Sequence, residues 1–231
     1  EVIQSGSPIF IGHVRRGSID PLTGRLRGGR DAANVHPFIR LVHDSHGRTV
    51  TGYIGAHNGD FPNFKDFQTR LREPKLIKGL TDSEVAIQIL FDNVIQMNGN
   101  FVGGLVDGLA AILQEGKWYV ANFALASPDT LAIFSAVNYQ MLVDEGKNPP
   151  FSETDLWEYG TLWKIPFWWE GNRPQGYVVA SERLPYPYPD RSGWTPLDFG
   201  ALHVFHRDQG FHQSIPLISQ VPPADSTYAQ F

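Results

Sequence analysis

The chain has 231 residues with 19 basic and 24 acidic side chains, a formal net charge of -5, so it offers no broad cationic surface for a phosphate backbone or an anionic membrane. Hydrophobic residues make up 42%, and 15 Phe, 8 Tyr and 6 Trp carry enough apolar surface to exclude a disordered chain. Cysteine is absent, which excludes disulfides, thiolate zinc sites, iron–sulfur clusters and any thiol nucleophile furnished by these residues.

In chain order, Pro8–Val14 is a short β-branched run of buried-strand type, and the Gly-rich stretch from Arg15 to Arg30 is a loop. Phe38–His43 and Thr49–Ala56 alternate as strands about a turn at Asp44-Ser45-His46-Gly47, which predicts a hairpin, and His57-Asn58-Gly59-Asp60 ends its second strand. Thr81-Asp82-Ser83-Glu84 has the form of a capping box: the Thr hydroxyl accepts an amide of the first turn and Glu84 reaches back. It predicts a helix running to Asn98-Gly99, and a second helix follows over Val102–Leu113. Strands are then predicted at Trp118–Leu125, Thr130–Val137, Trp163–Trp168, Tyr177–Ala180 and Leu202–Phe205, with Pro149-Pro150 and Pro185–Pro189 in loops. Strands, two helices and strands again predict an α+β domain. No repeat or composition shift marks a boundary, so one domain over residues 1–231 is expected, its tail after about Pro216 peripheral.

No run approaches the ~20 apolar residues of a membrane span, and Pro8–Ile11 is too short for a signal-peptide core. A cytoplasmic protein is therefore expected. The chain opens Glu1-Val2-Ile3-Gln4 and not on Met, which predicts a processed or incomplete chain.

Four short segments gather polar residues at strand ends or a helix start: His13-Val14-Arg15-Arg16-Gly17-Ser18, Asn34-Val35-His36-Pro37-Phe38, Ala56-His57-Asn58-Gly59 and Thr81-Asp82-Ser83-Glu84. Singly, each has an ordinary reading as a solvated Arg, a turn or a cap. In this order, the series resembles the class II glutamine amidotransferases, the glutaminase branch of the N-terminal-nucleophile hydrolases. Val179-Ala180-Ser181-Glu182 with the later Trp194 is a weaker echo of the stand-alone members, and no synthase domain is expected within these residues. Gly17 stands where the family more often has Ala, and Ser18 where it usually has Thr, a swap that keeps the hydroxyl.

The resemblance implies a four-layer αββα sandwich with its first strands missing, and a site whose roles suit the residue types. Arg15 would hold the substrate α-carboxylate with its planar fork, Asp82 the α-ammonium group, and Ser18 would add a hydrogen bond. Asn58 and Gly59 would form the oxyanion hole, while His13 and His36 would support these loops. The family's nucleophile is an N-terminal Cys, expected some dozens of residues upstream of the His13 segment. A carboxylate at Glu1 cannot replace it, and the missing strands would leave an apolar edge exposed.

The implied activity is hydrolysis of glutamine or a γ-glutamyl amide through a Cys thioester. It needs no cofactor, metal, nucleic acid or membrane, and leaves open a synthase partner or a homo-oligomer. Two alternatives stand beside it: a γ-glutamyl amide hydrolase acting on a larger substrate, and a non-catalytic glutamine-binding or interaction domain. His43, His46, His203, His206 and His212 lack a recognised metal-ligand spacing. The aromatic group Trp157, Tyr159, Trp163, Phe167, Trp168 and Trp169 is read as core and amphipathic edge before a stacking platform.

Overall fold

Alternation along Phe38–His43 sets the first pairing: Phe38 and Arg40 are buried while Ile39 and Leu41 face outward. In a computed structural model, which describes residues 9, 11–12, 32–144, 160–167, 176–181, 193–207 and 210–219, this segment is β1, and it pairs antiparallel with β2, Thr49–Gly59. The Asp44 carboxylate closes the turn between them by accepting the His46 N–H at 2.8 Å and the Arg48 N–H at 2.9 Å. These bonds, that of the Arg48 amide foremost, hold the Asp44 carboxyl below the usual carboxylate range. The strand reading of Pro8–Val14 lies outside the described residues apart from 9, 11 and 12, which form no strand.

Three helices follow: α1 (Phe64–Gln68), α2 (Asp82–Gln96) and α3 (Phe101–Glu115). Thr81 caps α2, its Oγ1 accepting the Glu84 N–H at 3.2 Å. The other half of the expected box is different. Glu84 does not return to Thr81; its two carboxylate oxygens accept the N–H groups of Lys78 at 3.0 Å and Gly79 at 2.8 Å, because the preceding loop turns those amides toward the helix start. Eleven of the fifteen residues of α2 are buried, since the sheet covers one side and α3 the other. The two helices touch where Gly104 faces Val94: a Cβ on Gly104 would lie 2.4 Å from the Val94 Cα, so only glycine permits this approach. The 64–68 helix has no side-chain cap and only five residues, too few to leave a periodic signal in the sequence.

The remaining elements are β3 (Ala121–Ala126), β4 (Thr130–Phe134), α4 (Tyr139–Asp144), β5 (Trp163–Phe167), β6 (Gly176–Ala180), β7 (Thr195–Pro196), β8 (Ala201–His206) and β9 (Gly210–Pro216). The predicted 118–125 and 130–137 strands are shorter at their outer ends, where a single Val120–Val137 bridge continues the pairing. One antiparallel sheet runs β1-β2-β3-β4-β8-β9 and a smaller one β6-β5-β7. Strand β9 has no counterpart in the sequence reading, and just after it Leu217 and Ile218 pack against the main core.

The two faces of the large sheet have different partners. Phe123, Phe134 and Leu202 lie in one row across β3, β4 and β8 and join Val85, Leu90 and Phe91 of α2 in the main core. On the opposite face, Ile133 and Phe205 pack with Leu162 and Leu197, and Ala124 and Val179 border the same cluster, so the small sheet covers this side. This is a mixed α+β fold with a helical layer on one face of the large sheet and a second sheet on the other. Ile39 (60%), Leu41 (52%) and Val50 (61%) remain exposed on the second face at the β1 edge. His203 is buried in β8; burial pushes its pKa down, and its Nε2 lies 3.1 Å from the Asp198 carbonyl oxygen. Among the described residues, no helix is long and apolar enough to cross a membrane, and no three His, Asp or Glu side chains gather as a metal site needs.

A buried ion pair locks β1 to α2. The Arg40 guanidinium donates to Asp92 Oδ1 at 3.1 Å and to Gln88 Oε1 at 3.3 Å, while Asp92 Oδ2 accepts the Arg72 N–H at 2.8 Å. Arg40 is 6% and Asp92 5% exposed, and the half-exposed Glu73 carboxylate also lies 3.3 Å from the guanidinium, so removing Asp92 leaves the buried charge with one solvent-screened carboxylate and takes the acceptor from the Arg72 N–H. Asp92→Ala is expected to destabilise the fold by about 3–5 kcal/mol. Chemical denaturation checks this, and a loss below about 1 kcal/mol, the scale of a solvent-screened pair, would contradict it.

Candidate active site

Polar residues collect where β2 ends against the start of α2. Period-two alternation places His57 on the helical face, and Asn58 on the face turned to the second sheet. The His57 ring stacks on Phe123, with centroids 4.4 Å apart, and its Nδ1 lies 3.1 Å from Ser83 Oγ in the first turn of α2. Its backbone N–H donates to His36 Nδ1 at 3.3 Å, so the buried His36 ring takes up the strand beyond the last β1 pairing. Asn34, also buried, accepts the Leu80 N–H at 2.8 Å and fixes the loop before Thr81.

Gly59 is enforced by packing. A Cβ there would sit 1.9 Å from the Val120 carbonyl oxygen, and no side chain survives that distance. The chain then turns away from the strand, and the Phe61 N–H donates to Asp82 Oδ2 at 2.8 Å. Asp82 Oδ1 accepts the Ser83 N–H at 2.8 Å, which leaves the carboxylate at the positive end of the α2 dipole. Asp82 therefore ties the helix start to the turn that follows Asn58 and Gly59.

The structure thus brings three of the four sequence segments together. Asn34 and His36 brace β2 and the loop, His57 to Gly59 end the strand, and Thr81 to Glu84 start the helix. His13, Arg15 and Ser18 lie outside the described residues, as do Glu182 and the Trp157, Tyr159, Trp168 and Trp169 positions. Of the aromatic group, Trp163 is buried with Ile165 and Trp194 in a core cluster of its own. A half-open cavity of about 600 Å³ lies beside β1, lined by Arg40, Glu73, Leu76 and Gln88 among others. It holds none of Asn58, Gly59 and Asp82.

Sequence reasoning passed over two residues here. His57 was visible inside Ala56-His57-Asn58-Gly59, and its burial follows from strand alternation. Asn122 was not singled out, although it is a lone amide in the apolar run Ala121–Ala126.

The family model for class II glutamine amidotransferases matches residues 3–227, almost the whole chain. The chain belongs to this family. The glutamine phosphoribosylpyrophosphate amidotransferase from B. subtilis, solved with ADP and GMP, superposes with a TM-score of 0.50 at 16% identity, over 85% of this chain and 35% of that one. A structure described as the allosteric regulatory enzyme of purine biosynthesis gives 0.50 and 16%, covering 85% and 34%. A predicted glutamine amidotransferase from Pseudomonas aeruginosa gives 0.47 and 22%, covering 76% and 64%. The first two likenesses are of fold, and the chain spans about a third of the length of those two proteins. Compared with curated proteins, the chain has no significant match.

Proposed function

We propose that this class II amidotransferase chain is the part of a glutaminase that binds glutamine and stabilises the oxyanion, acting with an N-terminal cysteine that is not among these residues. In the reaction, the cysteine sulfur adds to the side-chain amide carbon while its α-amino group takes the thiol proton and passes it to the leaving nitrogen. Ammonia departs, and water cleaves the thioester to glutamate. Asn58 through its side-chain amide, and Gly59 through its backbone N–H, donate to the oxygen that becomes negative in each tetrahedral intermediate. Arg15 holds the α-carboxylate, Ser18 adds a hydrogen bond to the glutamine, Asp82 receives the α-ammonium group, and His13 and His36 brace the loops. The released ammonia would serve a synthase partner, and the soluble composition suits the cytoplasm.

The observation that supports this reading is the bond from the Phe61 N–H to Asp82, which ties the start of α2 to the turn just after Asn58 and Gly59. Asp82→Asn keeps an acceptor for that N–H and removes the charge. It is expected to raise KM for glutamine roughly 10- to 100-fold, the equivalent of about 1.5–3 kcal/mol for a charged hydrogen bond, with a smaller change in kcat. Steady-state kinetics in the protein that carries the cysteine provide the check, and an unchanged KM removes Asp82 from the substrate site.

A further inference from the structure

We infer that Asn122 is a third donor of the oxyanion site, facing the amide oxygen of bound glutamine beside Asn58 and Gly59. The inference rests on the glutaminase reading above. Strand β3 sets Asn122 directly across from Asn58, and directly opposed residues of an antiparallel pair project from the same face. On the other side of β3, Phe123 pairs with Phe134, and Ala121 and Ala136 exchange both backbone hydrogen bonds, so Ser135 is opposite Asn122. Asn58, Asn122 and Ser135 therefore form one polar row across three strands, on the face turned to the second sheet. The next row, Ala56, Ala124 and Ile133, is apolar.

The two ends of the Asn122 amide are treated differently. Its Oδ1 accepts from Ser135 Oγ at 2.7 Å, and that hydroxyl also lies 2.9 Å from the Gly160 carbonyl oxygen. Its Nδ2 is buried with no hydrogen-bond partner, in a residue only 4% exposed. A buried amide donor left unpaired costs stability and calls for an explanation, since nearly all such groups in folded proteins are satisfied. Anchored by its oxygen to Ser135, the amide turns its nitrogen away from that anchor within the row that begins at Asn58. An oxygen that gains negative charge supplies the missing acceptor, and a donor fixed beforehand stabilises that charge without having to reorganise.

The test compares glutamine hydrolysis and thermal midpoint for the wild type, Asn122→Leu, Asn122→Asp and Asn58→Ala, in the protein extended to its N-terminal cysteine. Asn122→Leu is expected to lower kcat about 10²-fold with KM nearly unchanged. Its thermal midpoint should hold or rise, because the unpaired donor has gone. Asn122→Asp keeps the oxygen that bonds Ser135 and loses the donor, so it should fall at least as far. Full kcat in either variant overturns the donor role, and so does a lowered midpoint with activity that returns on cooling, which is the signature of a purely structural residue. If Asn58→Ala keeps full activity, or the wild type releases no ammonia, the glutaminase reading of this corner fails and takes the role of Asn122 with it. Wild-type activity with Asn58→Ala impaired and both Asn122 variants intact removes Asn122 alone.

Discussion

The 231-residue chain is expected to release no ammonia from glutamine above background, and the same chain carried upstream to an N-terminal cysteine to release it on the order of 10⁶ times faster. The size follows from how covalent catalysis divides its labour. Substrate clamps and oxyanion donors hold and stabilise the tetrahedral species, but they cannot form it without a nucleophile, and these residues contain no cysteine. In a cooperating site, deleting the nucleophile removes nearly the whole acceleration and leaves only what binding and oxyanion stabilisation give unaided water. Ammonia release by both forms, followed with a coupled assay, decides the matter. Activity in the short form contradicts a cysteine mechanism. Inactivity in both, with glutamine still bound, favours the binding module over the enzyme.

The parts of this molecule legible in sequence are those where one local pattern has one structural meaning. Phe38–His43 alternates and stops at an Asp-Ser turn, and β1 has the same bounds. Thr81 sits four residues ahead of Val85, where a long apolar face begins, and it caps α2. The pattern was less informative where the partner is distant. The same four-residue motif pointed Glu84 back to Thr81, whereas the loop before it supplies two amides that no spacing rule could place. Gly210–Pro216 carries Gln213, Ser214 and Pro216 and lacks clear alternation, so its pairing with β8 depends on the neighbouring strand. The site divides in the same way. Asn58 and Gly59 stood out because they are adjacent in a recognisable motif. Asn122 did not, because an isolated Asn in an apolar strand acquires significance only once register places it across from Asn58. Arg40 carries no signal of its own in the sequence, because the groups that enclose it, Asp92 and Gln88, lie some fifty positions later.

Asn58→Ala is the second large effect, expected to cut turnover about 10²- to 10³-fold in the cysteine-bearing protein, the scale for losing one oxyanion donor. Its backbone stays paired with Asn122 in the β2–β3 ladder, and neither Gly59 nor the tether from the Phe61 N–H to Asp82 depends on the deleted side chain. Because the lost bond strengthens as charge develops on the substrate oxygen, the deficit should appear in kcat and kcat/KM alike, with KM for glutamine and inhibition by the product glutamate little altered. Asp82→Asn should give the opposite pattern, a raised KM with kcat nearly kept, because the ammonium group carries the same charge in the ground state and the transition state. The contrast between the two variants is a stronger test than either alone, since general loosening of the corner would raise KM and lower kcat in both. An unchanged turnover number for Asn58→Ala removes that side chain from the mechanism, and with it the oxyanion reading of this corner.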